Sequence, residues 1–184
     1  MDYQKIIKET LSPKRYEHSV RVADVAEKLA AEHHLNIKNA RIAGLMHDYC
    51  KELPKEEQVQ IAIAAHLLTS RQDLLMPQIL HGPVAAHVLC AEGLIKDVDI
   101  LQAIRYHTVG HPDMDDLAKV VFIADYIEPG RKTPNIDDLY DLAKTDLDIC
   151  VVEIIDRTMA YLVTGKKIIH EDMIRLRNHL LSKE

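Results

Sequence analysis

Apolar residues recur along this chain at three- and four-residue intervals and rarely in strict alternation, so the pattern reads as helices from end to end. A short helix is expected from about Asp2 to Leu11. Ser12 then supplies a cap and Pro13 a first-turn proline, opening a second helix that reaches about His34. Asn36 caps a third, from Ile37 to Cys50, and Pro54 opens a fourth that continues to about Leu67. A fifth begins at His81-Gly82-Pro83 and ends at Gly93. A sixth starts at Asp97 and stops near His107, before Gly110 and Pro112. Asp115 to Glu128 forms a seventh, closed by Pro129-Gly130, and the tail adds helices near Ile136–Lys144, Asp146–Thr164 and His170–Leu181. No stretch reads convincingly as a strand. The expected fold is all-α, a compact helical bundle with its site between helices. Residues 1–184 are expected to form one domain, with a core over about 13–130 and C-terminal helices over about 135–182 packed on it.

Composition sharpens this picture. Apolar residues make up 47% of the chain, ample for a core, but aromatics only 4%, with one Phe and no Trp. The interior must therefore be built from Leu, Ile, Val, Ala and Met. Glycine is scarce and good helix formers abound. A net charge of -6 argues against a general nucleic-acid surface, which needs a basic footprint. It does not exclude a small anionic substrate, because a bound metal reverses the local field. Cys50, Cys90 and Cys150 are far apart and in no CxxC pattern, which suits reduced thiols in a cytoplasm. The first residues lack the apolar region of a signal peptide, and no run is long enough to span a bilayer.

The candidate chemistry lies in six residues. His47-Asp48 falls in a helix-like run, with His18 upstream and Asp125 far downstream, and His81 and His107 stand at the ends of helical stretches. With 11 His and 17 Asp in 184 residues, about one His-Asp pair is expected by chance, so the dipeptide alone carries little. Context carries more. His18 shares a helical face with Val22, Val25 and Leu29 and so points inward, as a core histidine with a hydrogen-bond partner or as a metal ligand. Ala40, Ala43 and Gly44 precede His47 and permit close helix approach. His47 and Asp48 lie roughly 100° apart around a helix, so one ion can reach both only at their shared edge. Asp125 sits in the most apolar run of the chain, where a carboxylate is costly to bury unless it is metal-bound or salt-bridged. His81 could ligate a second metal or meet a phosphate at a helix N-terminus, and His107 could ligate or simply face a helix dipole.

Neutral imidazoles together with hard carboxylates suit a divalent metal such as iron or manganese, one ion or two. A two-metal site clamps a phosphate and activates a water against it. Cations recur beside the ligand segments: Arg21 three residues after His18, Lys51 three after Asp48, and Arg131 after the helix stop at Pro129-Gly130. Each reads either as a phosphate contact or as a surface charge. His33, His34, His66, His87, His170 and His179 read as solvent or packing residues.

The pattern resembles the HD superfamily of metal-dependent phosphohydrolases, here carried by His18, His47-Asp48 and Asp125, with Lys51 at the place where that family often has a lysine. The segments around Leu45–Lys51, His81–Ala86, Tyr106–Gly110 and Ala124–Arg131 are similar to one bacterial branch, the HD-domain symmetrical diadenosine tetraphosphate hydrolases. The likeness spans about residues 13–180, and the Glu128-Pro129-Gly130-Arg131 segment is its most specific mark. It implies iron as the metal, symmetrical cleavage to two ADP, and a metal centre of His18, His47, Asp48 and Asp125. His81 and His107 would complete a second metal position or contact phosphate. An arginine is common in the branch where this chain has His111.

The implied mechanism is attack of a metal-activated water, oriented by Asp48, on an inner phosphorus, with Arg21, Lys51 and Arg131 holding the flanking phosphates. Asp48 and Lys51 are thus the expected catalytic residues. The substrate is then a small nucleotide, with neither nucleic acid nor membrane as partner. A homodimer stays open, since no feature specifies one. Three other readings stand beside this one. They are an HD phosphohydrolase of another nucleotide (deoxynucleotide, cyclic or guanosine polyphosphate), a non-catalytic nucleotide-binding regulatory module, and a plain helical interaction protein.

Overall fold

The computed structural model describes residues 1–131 and 134–182. Among these residues there are eleven α-helices, one short 3-10 turn and no strand. The helices are α1 (Tyr3–Thr10), α2 (Pro13–Glu32), α3 (Ile37–Met46), α4 (Lys55–Ala64), α5 (Gln72–Leu75), α6 (His81–Ala91), α7 (Val98–Tyr106), α8 (Asp116–Ile127), α9 (Ile136–Thr145), α10 (Leu147–Thr164) and α11 (Glu171–Leu181). The 3-10 turn, Pro77–Ile79, precedes α6.

Most starts are set by caps that the sequence advertises. Asn36 accepts from Asn39 N, Asp97 from Asp99 and Ile100 N, Asp115 from Ala118 N, and Asp146 from Ile149 N. Ser12 marks the start of α2, but its side chain makes no cap. It donates from Oγ to Glu52 Oε1 at 2.5 Å while its N–H donates to Oε2 at 2.7 Å, tying α2 to the turn after α3.

Two stretches depart from the expected helices. The third helix ends at Met46, not Cys50, because the chain tightens into turns in which Tyr49 N bonds Met46 O and Lys51 N bonds Asp48 O. The fourth ends at Ala64, where His66 takes a φ of 54° and Leu67 N returns to Ala62 O. Neither α5 nor the 3-10 turn has a sequence period long enough to be read.

Helix α2 packs most extensively on α3 and also on α8, while α7 lies against α6, α3 and α8. These helices form the core around the candidate site, and α10 closes it from the α8 side with α9 and α11 against it. Val22, Val25 and Leu29 are buried, as the inward face of α2 requires. The small residues of α3 bring it onto α2: a Cβ on Gly44 would lie 2.7 Å from Ala23 Cα. Burial of Val120 to Ala124 places α8 at the centre of the molecule and carries Asp125 there.

Candidate metal centre

Four imidazoles turn their Nε2 atoms into one small space, and local backbone geometry explains three of them. His47 closes α3, His107 closes α7 and His81 follows the 3-10 turn. Each bonds through Nδ1 to the carbonyl three residues back: His47 to Gly44 O at 2.7 Å, His81 to Gln78 O at 2.8 Å and His107 to Ile104 O at 2.7 Å. At a helix end that carbonyl is free to accept. A carbonyl can only accept, so Nδ1 carries the proton and Nε2 presents its lone pair. His18 lies in mid-helix, where such carbonyls are used. Its Nδ1 instead bonds Glu128 Oε1 at 3.1 Å, a partner 110 residues away.

The two carboxylates divide this space. Asp48 Oδ2 lies 3.7 Å from His18 Nε2 and 3.5 Å from His47 Nε2, whereas Oδ1 lies 3.3 Å from His81 Nε2 and 3.7 Å from His107 Nε2. Each oxygen thus faces a different pair of imidazoles. Asp125 Oδ1 joins the first pair, 3.1 Å from His18 Nε2 and 3.8 Å from His47 Nε2. Two groups have the spacing to hold an ion: His18, His47 and Asp125, and His47, Asp48 and His107. All six residues singled out from the sequence as ligands therefore meet here.

The donors fit a metal on three counts. The buried Nε2 atoms of His18 and His47 make no hydrogen bond among the described residues. Nε2 of His81 and Nε2 of His107 stand 3.0 Å apart with both Nδ1 protons committed elsewhere, so two lone pairs face each other, one of them also met by the Lys51 ammonium. The mixed nitrogen and oxygen set is that of a divalent transition metal.

Cations already line the carboxylates. Arg15 Nη1 donates to Asp48 Oδ2 at 2.6 Å, Arg131 pairs with Asp125, and Lys51 Nζ lies 3.0 Å from His81 Nε2 and 3.9 Å from Asp48 Oδ1. Arg21 is placed differently: its Nε donates to Glu128 Oε2 at 2.5 Å. The charges shape the ionisation. Burial opposes the Asp48 carboxylate's charge, but the surrounding imidazoles, His47 first and then His107 and His81, outweigh it, leaving Asp48 well below the usual carboxylate range. Burial likewise opposes Asp125, yet His18, His47 and Arg131 hold it low. Burial pushes His81 down to about 4 and lowers His107, so both imidazoles are neutral near pH 7. Burial also lowers the Lys51 ammonium.

Sequence reasoning missed Arg15 and the role of Glu128. Arg15 had a signal, since it lies three residues before His18 as Arg21 lies three after. Glu128 sits in a segment already noted, but nothing local says that its buried carboxylate reaches His18, Arg21 and the N–H of Gly130. His111 stands off the cluster, stacked on Tyr106 with ring centroids 4.7 Å apart. His170 is buried and bonds Asp73 Oδ1 at 3.1 Å, a packing role.

An all-α frame that gathers H…HD…D residues around one space is the arrangement of the HD domain. The family model for the HD domain matches residues 15–130, and the chain belongs to this family. Among curated proteins it is 40% identical over 180 residues to the symmetrical bis(5'-nucleosyl)-tetraphosphatase of Bacillus subtilis, covering 96% of this chain and 94% of that one. The protein of the same name from Staphylococcus aureus is 39% identical over 180 residues, with 96% and 91% covered. A crystal structure of a predicted HD superfamily hydrolase involved in NAD metabolism, from Clostridium acetobutylicum, superposes with a TM-score of 0.94 at 35% identity, covering 99% of this chain and 96% of that one. Among the described residues no helix is long and apolar enough to cross a membrane.

Proposed function

We propose that this protein is a metal-dependent symmetrical bis(5'-nucleosyl)-tetraphosphatase that cleaves diadenosine tetraphosphate to two ADP. The observation that carries the reading is the pair of imidazole sets facing the two oxygens of Asp48. The names of the Bacillus and Staphylococcus relatives support the substrate. His18, His47, Asp125 and Asp48 Oδ2 would hold one ion, and His81, His107 and Asp48 Oδ1 a second. Iron is the proposed metal, with manganese as the substitute. When bound, such ions activate water near neutral pH and neutralise charge on phosphoryl oxygens.

The chain's own residues do the rest. Asp48 orients the attacking water by accepting a hydrogen bond from it. Arg131 and Lys51 bind the phosphates on either side of the scissile bond and stabilise charge on the leaving ADP. Arg15 and Arg21 border the same polar cleft, with Lys14 beside them, and extend its positive lining along the phosphate chain. Residues 1–184 act as one HD domain, in the cytoplasm, on a small nucleotide and not on nucleic acid. A homodimer is compatible with this reading.

The test is product analysis by anion-exchange chromatography on metal-analysed protein given diadenosine tetraphosphate. ADP as sole product with iron or manganese bound is expected. AMP plus ATP would overturn symmetrical cleavage, and no turnover by metal-loaded protein would redirect the site to another phosphate substrate. Asp48→Ala should lose at least about a hundredfold in turnover with its helical circular dichroism retained. Wild-type turnover in that variant would remove Asp48 from the mechanism.

A further inference from the structure

The four imidazoles of the centre differ in what already meets their Nε2 atoms. Those of His18 and His47 are buried and have no hydrogen-bond partner among the described residues. Those of His81 and His107 are served by the chain itself. The Lys51 ammonium lies 3.0 Å from His81 Nε2, and Thr108 Oγ1 lies 3.3 Å from both His81 Nε2 and His107 Nε2. A hydroxyl has one proton to give, so Thr108 can serve His107 while Lys51 serves His81. Lys51 Nζ also stands 3.9 Å from Asp48 Oδ1, the oxygen that faces these same two imidazoles. A cation of the protein thus sits among the donors proposed for the second ion.

The arginines beside the first group stand differently. Arg15 meets a carboxylate oxygen of Asp48, and Arg131 one of Asp125. A carboxylate offers about four lone-pair sites and can hold an arginine and an ion together, whereas a neutral imidazole offers one. Charge points the same way. The centre's paired cations, Arg15, Arg21, Lys51 and Arg131, outnumber the three carboxylates they pair with before any metal is bound. One divalent ion adds to that excess. A second, beside the Lys51 ammonium, adds to it where burial leaves repulsion least screened. A phosphate chain supplies the balancing negative charge, and Lys51 is one of the groups proposed to bind it.

Resting on the proposed function, we infer that the centre keeps one ion by itself, in the group of His18, His47 and Asp125, and takes a second only together with the phosphate chain. Lys51 is the exchanging group. Its ammonium fills the place beside His81 and Asp48 Oδ1 until phosphate oxygens draw it away. Second ion and substrate then bind with positive coupling, and each gains from the other by the same factor.

The experiment titrates Mn²⁺ into metal-stripped protein, with and without the analogue of diadenosine tetraphosphate whose central bridging oxygen is a methylene. Electron paramagnetic resonance counts free Mn²⁺ and gives a coupled pair of ions a spectrum of its own. Without the analogue, wild-type protein with its first position saturated should hold one ion per chain and show no coupled pair. With it, the pair should form at free Mn²⁺ at least about tenfold lower. Lys51→Met, its fold checked by circular dichroism, should form the pair without the analogue, whose effect should shrink to about threefold or less. Two ions of equal affinity in wild-type protein without the analogue overturn this inference. So does a pair that the analogue fails to promote, or one that depends on it in Lys51→Met as in the wild type. The wild-type comparison decides alone if the variant does not fold. ADP formed from diadenosine tetraphosphate alongside any of these failures leaves the proposed function standing. No ADP from protein loaded with both ions overturns the proposed function and this inference with it.

Discussion

Glu128 shows how one side chain ties the candidate ligand set to the turn that carries Arg131. Its buried carboxylate accepts from His18 Nδ1, from Arg21 Nε and from the N–H of Gly130, at 3.1, 2.5 and 2.6 Å. Burial pushes it up, but Arg21, the Gly130 N–H and His18 outweigh that and keep it ionised. The first of those bonds sets the His18 tautomer. The last shapes the turn that carries Arg131, and a Cβ at Gly130 would press on the Arg21 guanidinium and displace it. Partners of this kind commonly change metal affinity by 10- to 100-fold. Glu128→Ala should therefore weaken metal binding by about that factor, read by competition against a calibrated chelator. An unchanged affinity would mean that packing alone orients His18.

At the scale of elements, the site is made by helix ends and one close crossing. Three of the candidate ligands stand where a helix stops or starts, because there a carbonyl three residues back is free to hold an imidazole. The expected continuation of the third helix to Cys50 would have spent the Gly44 carbonyl within the helix. The crossing of α2 and α3 brings His18 and His47 together, with ring centroids 5.2 Å apart, and depends on Gly44. The atom its Cβ would meet at 2.7 Å is backbone, so the helices must separate. Gly44→Ala should cost about 1–3 kcal/mol, measured as a lower urea midpoint at unchanged slope. A midpoint at or above that of the wild type would show that the crossing relaxes freely.

For the whole molecule, the concentrated charge of the centre makes stability depend on pH when metal is stripped. Asp48, Asp125 and Glu128 are held below their ordinary values, so their contribution is present above about pH 4 and fades as pH falls through it. His81 and His107 are also lowered, so theirs is complete above about 6.5 and fades below it. His47 opposes them: burial lowers it, the charges of Asp48 and Asp125 raise it, and the net is upward. In all five lowered groups the unfolded chain binds the extra proton. Stability of the metal-stripped protein should therefore drop steadily from about pH 6.5 to pH 4, by several degrees in Tm on calorimetry. A flat profile over that range would contradict the charge arrangement.

The sequence by itself determined the helical class, the caps at Asn36, Asp97, Asp115 and Asp146, and the choice of the six candidate ligands that the fold brings together. Those are local or chemical properties: a helix period repeats within a few residues, a cap acts within one turn, and imidazole or carboxylate character belongs to the residue. Tertiary structure decided which oxygen of Asp48 faces which imidazoles, that Arg15 reaches Asp48 across 33 residues, and that Glu128 orients His18 across 110. It also decided that His170 is buried against Asp73. Such pairings arise when α2, α3, α7 and α8 close on one another, and the free energy that selects them is spread over the packed core. No short window of residues encodes that closure.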